Sequence, residues 1–187
     1  MRILYVNACV RKESRTKILA NYLLSKLKGE VKEINLPSIN LQPLDEITLN
    51  RRDALITQEK FDDKMFDWAK DFAQADVIVI AAPYWDFSFP SWLKLFIEHI
   101  NITNLVFKYS DKGEIISLCK AQKLYYVTAK GGYNPDDYGY GYIKALANKL
   151  YGIDDTYLIT AEGLDIIGNN ADDILTKTKT EIDKIFK

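Results

Sequence analysis

Residues 76–82 read Asp-Val-Ile-Val-Ile-Ala-Ala, an apolar run with no polar residue after its first position. A half-buried strand alternates apolar and polar residues, because successive side chains point to opposite faces. An uninterrupted run fits instead a central strand of a parallel sheet, covered by helices on both faces. The flanking segments agree. Strand-like runs at Arg2–Asn7, Val31–Leu36, Lys123–Ala129 and Asp155–Thr160 alternate with helical spacing at Arg15–Leu27, Gln58–Gln74, Ser91–Ile102, Tyr142–Leu150 and Ala171–Phe186. Residues 38–57 show little periodicity. Such alternation predicts an α/β fold with right-handed crossovers. The expected architecture is a three-layer sandwich, a five-stranded parallel sheet of order 2-1-3-4-5 with helices on both faces. No repeat or linker divides the chain, so residues 1–187 are expected to form one domain.

Composition excludes several function classes. The formal net charge of −1 gives no basic face for nucleic acid, and no window is apolar for the length of a membrane span. Residues 1–10 run straight into a loop and a helix, and read as a first strand rather than a signal peptide. The two cysteines, Cys9 and Cys119, are far apart, and His99 is the only histidine. Neither a metal site nor a disulfide framework is indicated, and the expectation is two reduced thiols in a cytoplasmic protein.

In the predicted sheet order a ligand crevice lies beyond the carboxyl ends of the strands, where the order reverses between the first and third strands. The loops that meet there are the chemically unusual ones. After the first strand, Cys9, Arg11, Ser14, Arg15 and Thr16 lead into a helix for which Ser14 is the expected N-cap. Unpaired first-turn amides, hydroxyls and guanidinium groups suit a phosphate. After the central strand, residues 81–90 carry four aromatics and two prolines. That stiff loop offers ring faces to a planar ligand through Pro83, Tyr84, Trp85, Asp86 and Phe87. After the fourth strand, Ala129-Lys130-Gly131-Gly132-Tyr133 lets backbone approach a ligand closely.

Taken in order, Ser14-Arg15-Thr16, the segment Ala82-Pro83-Tyr84-Trp85-Asp86-Phe87 through Leu93-Lys94, Val106-Phe107-Lys108-Tyr109, and Ala129-Lys130-Gly131-Gly132-Tyr133 resemble the flavodoxin-like NAD(P)H:quinone oxidoreductases and FMN-dependent azoreductases. The resemblance spans Met1 to about Gly168. It implies a flavodoxin-like fold and bound FMN, with FAD an alternative. It also implies NAD(P)H as co-substrate and ping-pong hydride transfer to a quinone, azo compound or similar small-molecule acceptor. Ser14, Arg15 and Thr16 would hold the flavin phosphate, residues 84–87 would border the ring, and Lys130, Gly131 and Gly132 would meet its pyrimidine edge. A homodimer is implied as well. Asp86 departs from the Asn common in azoreductases, and Lys130 from the usual Arg or Thr. Quinone reductases of the family use a Tyr and a His in the region after the Gly-Gly loop; this chain has no His there, leaving Tyr138 and Tyr140 as candidates for assisting hydride transfer. Two other classes stay open at this point: a single-electron carrier of the flavodoxin type, and a non-enzymatic interaction protein.

Overall fold

Every residue of the central strand β3 (Val77–Ala81) is buried, because it is paired on both edges and covered on both faces. It lies parallel to β1 (Arg2–Asn7) on one side and to β6 (Lys123–Ala129) on the other. The outer strands are β2 (Glu30–Asn35) beside β1 and β7 (Asp155–Ala161) beside β6. The sheet order is β2-β1-β3-β6-β7. The two short strands β4 (Phe107–Tyr109) and β5 (Ile115–Ser117) form a separate antiparallel pair. With that hairpin set aside, the main sheet runs 2-1-3-4-5, as expected. The computed structural model describes residues 1–134 and 138–186.

Alternate side chains of β3 build two cores. Ile78 and Ile80 join Leu4, Val6, Leu124 and Tyr126 against α3 (Asp67–Gln74), α4 (Ser91–Ile100) and α5 (Tyr140–Lys149), through Ala69, Phe72, Leu93, Phe96 and Ile143. Val77, Val79 and Ala81 face the other way, toward α1 (Arg15–Leu24) and α6 (Ala171–Ile185), meeting Leu19, Leu23, Leu175 and Ile182. Each fully buried Leu, Ile or Phe side chain contributes on the order of 1.5–3 kcal/mol. This double coverage is the physical reason for the unbroken apolar run at 77–82.

Three elements differ from the sequence expectation. A helix, α2 (Glu46–Thr57), stands in the stretch without periodicity. Asp45 caps it by accepting from Thr48 N at 2.8 Å, and it buries no residue. Only Leu55 and Ile56, adjacent near its end, pack partly against the core, so the helix carries no continuous apolar stripe. The helix expected over 58–74 is broken: Glu59 has φ 54°, Asp63 caps a short 3-10 turn at Lys64–Phe66, and α3 begins only at Asp67. The β4–β5 hairpin was not legible in a three-residue pattern. The other boundaries hold or move by at most three residues, the largest shift being at α1, which ends at Leu24 rather than Leu27. Among the described residues no helix is long and apolar enough to cross a membrane.

Candidate functional site

Backbone hydrogen bonds carry the sheet pairing past the ends of the strands and gather the loops. Ala8 N donates to Ala81 O at 2.8 Å, Ala82 N to Val127 O at 3.0 Å, and Lys130 N to Ala161 O at 2.8 Å. A cleft of about 260 Å³ opens between these loops, at the reversal of strand order.

One end of the cleft is the entrance to α1. Asn7 turns the chain out of the sheet: its Oδ1 accepts from Cys9 N at 2.9 Å and its Nδ2 donates to Glu33 at 2.8 Å. Ser14 is the N-cap, its hydroxyl accepting from Lys17 N at 3.4 Å. Arg15 and Thr16 therefore supply first-turn amides that precede the first intrahelical donors, beside the guanidinium groups of Arg11 and Arg15. Helix polarity and donor geometry together make this end receptive to an anion.

The facing wall is Pro83, Tyr84 and Trp85. Beyond it the chain turns sharply. Trp85 and Ser88 exchange backbone hydrogen bonds, and the two residues between them, Asp86 and Phe87, have φ of 49° and 66°. A two-residue turn of this kind needs positive φ at both central positions. Asp tolerates that conformation, whereas Phe holds it under strain of order 1–2 kcal/mol. The turn projects Phe87, 55% exposed, into solvent.

The third side is the β6 exit. Lys130 is 3% exposed. Its Nζ lies 2.9 Å from Glu162 Oε1, donates to Asn134 O at 3.2 Å, and stands 4.9 Å from the centroid of the Tyr84 ring. The ammonium thus backs the aromatic wall through a cation–π contact. The two glycines next to it differ. A Cβ on Gly131 would lie 2.4 Å from Asp165 Oδ2, whereas one on Gly132 would meet nothing within 4 Å.

Among the residues singled out from sequence, Arg11, Ser14, Arg15, Thr16, Pro83, Tyr84, Trp85, Ala129, Lys130 and Gly131 line the cleft together. Cys9 is buried with its thiol directed to Ala81 O at 3.8 Å, and burial pushes its pKa up against weaker opposing effects of Ser14 and Lys17. Asp86, Phe87, Gly132 and Tyr133 stand outside the lining. The Tyr133 hydroxyl accepts from Asn169 at 3.0 Å. Tyr138 is 65% exposed. Tyr140 turns its hydroxyl to Thr156, near the amino end of β7 and away from the cleft. The structure also adds Val10, Glu13, Leu164 and Asp165 to the lining. Leu164 and Asp165 lie in the loop after β7. Position alone could have located them, since in a parallel sheet every strand's carboxyl end opens on the same edge. No group of His, Cys, Asp and Glu side chains able to hold a metal ion occurs among the described residues.

The comparison with known families agrees with this geometry. A family model described as flavodoxin-like fold matches residues 1–186. The chain belongs to that family. Among its relatives, an FMN-dependent NADH:quinone oxidoreductase of Clostridium acetobutylicum is 30% identical over 190 residues, covering 95% of this chain and 94% of the relative. One from Clostridium beijerinckii is 30% identical over 184 residues, with 93% and 92% covered. Among solved structures, an azoreductase from Bacillus anthracis superposes with a TM-score of 0.85 at 20% identity, covering 100% of this chain and 98% of the other. An FMN-dependent NADH-azoreductase from the same species, in complex with FMN, gives 0.82 at 23% identity, with 99% and 97% covered. At that identity the two structures establish the shared flavodoxin-like fold.

Proposed function

We propose that this protein is an FMN-dependent NAD(P)H oxidoreductase that reduces quinones, azo compounds or similar electron-poor small molecules. The observation that carries the reading is the composition of the cleft. It has a helix entrance with hydroxyls and guanidiniums at one end, a stiff aromatic wall along one side, and glycine backbone opposite. A phosphorylated planar cofactor needs those three features together, and relatives at 30% identity over nearly the whole chain bear the corresponding name.

When bound, FMN would supply the chemistry of hydride transfer between NAD(P)H and an electron-poor acceptor. The residues present fit it. Ser14, Thr16, Arg11, Arg15 and the first-turn amides of α1 would hold the phosphate. Pro83, Tyr84 and Trp85 would border the ring. The backbone of Ala129, Lys130 and Gly131 would meet its polar edge, with Gly132 left open by the absence of any neighbour within 4 Å of its Cβ position. Lys130, held by Glu162, acts on this site by fixing Tyr84 and by placing a buried positive charge behind the wall. Such fixed charge favours whichever cofactor state is more negative. Cys9 lies beneath the phosphate loop as packing.

The remaining parts of the reading follow from these. Residues 1–187 act as one flavin-binding domain. Free thiols at Cys9 and Cys119 suit the reducing cytoplasm. The exposed aromatics Trp85, Phe87 and Tyr109, with Ile115 and Ile116 on the hairpin, offer an apolar surface for a second copy of the chain.

The test is an absorbance spectrum of the purified protein, repeated after adding FMN and then NADH or NADPH without oxygen. A flavin band that bleaches in one two-electron step and returns on adding a quinone is the expected result. A protein that takes up no flavin refutes the proposal. One that takes it up but is never reduced by either nicotinamide retains the cofactor and loses the enzyme.

A further inference from the structure

Arg15 is the cation best placed to meet an anion at the helix entrance, yet in this structure it is already engaged. Its Nη2 lies 2.7 Å from Asp165 Oδ1, and its Nη1 donates to Leu164 O at 3.1 Å. Glycine at position 131 leaves the room that this placement of the carboxylate takes up. A Cβ there would come within 2.4 Å of Asp165 Oδ2, and Gly131 is not among the residues with positive φ. The conformation of residue 131 therefore does not demand glycine; the room for Asp165 does. The loop itself is pinned independently, by Asp165 N to Gly131 O at 2.8 Å and Leu164 N to Lys130 O at 3.2 Å. Loop and carboxylate are thus separable, and neutralising the carboxylate leaves both the loop and the Leu164 contact of Arg15 in place.

We propose that Asp165 is a specificity-determining residue that competes with the cofactor's phosphate for Arg15 and so lowers the protein's preference for phosphorylated over unphosphorylated flavin; this rests on the flavoprotein reading above. A phosphate arriving at the α1 entrance draws Arg15 away from Asp165 and meets the carboxylate's own negative charge. The side chains are 36% and 64% exposed, so the pair is well solvated and the competition is modest. Surface ion pairs of this kind correspond to a change in affinity of about twofold to fivefold.

The experiment titrates the flavin-free full chain with FMN and with riboflavin, by quenching of protein fluorescence, for the wild type, Asp165→Asn and Asp165→Ala. The expected result is FMN affinity raised about twofold to fivefold in both variants, with riboflavin affinity unmoved. Salt supplies a second readout: it weakens the phosphate contact in every variant but also weakens the competing pair in the wild type, so the wild type loses FMN affinity less steeply. In an Arg15→Met background the Asp165 substitutions should matter less, because only the direct repulsion between phosphate and carboxylate remains. Unchanged or weakened FMN binding in both Asp165 variants, or an equal shift for riboflavin, overturns the competition while leaving the flavoprotein reading intact. Failure of all three proteins to bind either flavin overturns both.

Discussion

The Lys130–Glu162 pair makes an asymmetric prediction. The lysine side chain is 4% exposed and the glutamate 28%. Removing one partner of a buried pair is costly mainly because the other is left charged and away from water. Lys130→Met removes the ammonium but keeps a hydrocarbon stem of similar length, and the abandoned Glu162 gains water on its open side. The loss is then the ion pair and the cation–π contact, about 1–2 kcal/mol. Glu162→Ala leaves a buried ammonium supported, among the described residues, by Asn134 O at 3.2 Å and the Tyr84 ring at 4.9 Å; its cost should be about 2–4 kcal/mol. The double variant should resemble Lys130→Met alone, giving a coupling equal in size to the Glu162→Ala cost, about 2–4 kcal/mol. Equilibrium urea unfolding at neutral pH measures all four proteins, with the slope m expected to stay constant. In a chain of this size each kcal/mol also appears as about 2–4 °C in Tm. Additive effects, or a lysine substitution costlier than the glutamate one, would refute the view that burial of the ammonium governs this corner of the cleft.

Two further outcomes are expected. Burial pushes the Cys119 thiol up to about 11 from a usual value near 9, and desolvation moves the Tyr5 and Tyr151 phenols upward as well. For groups that titrate higher when folded, the unfolded chain releases protons first. These groups therefore add no pH dependence below about pH 8, and stability falls as pH rises toward 11, by on the order of 2 kcal/mol from Cys119; urea midpoints that do not fall across this range, or a Cys119→Ala variant with an undiminished slope, would contradict it. At the exposed turn, Phe87→Gly should relieve the positive-φ strain, raising monomer stability by about 0.5–1 kcal/mol. It should also weaken self-association in sedimentation equilibrium, and a variant that associates as the wild type does would remove Phe87 from the proposed dimer surface.

Much of the fold is written in local pattern. The unbroken run at 77–82 announces a strand covered on both faces, and the alternation of elements around it announces the parallel sheet. What stayed hidden has a physical signature of its own. Helix α2 buries no residue fully and packs only Leu55 and Ile56, near its end, against the core, so little periodicity marks it, and the break at Glu59–Asp63 depends on backbone angles and a capping carboxylate rather than on hydrophobic spacing. The residues lining three sides of the cleft were legible because their loops are compositionally odd. The fourth side was not, because Leu164 and Asp165 sit in a stretch that looks ordinary by itself.

By its own residues the chain determined a doubly covered parallel sheet, a Ser14-capped helix entrance and a stiff aromatic loop, since propensity, capping and hydrophobic period act over a few neighbouring positions. Only the tertiary structure decided that Lys130 turns its charge to Glu162 behind Tyr84, that Tyr140 points away from the cleft, and that Asp165 takes the space a side chain at 131 would fill. Those are encounters between residues up to 150 positions apart. Their energies depend on burial and distance, which no local stretch of sequence carries.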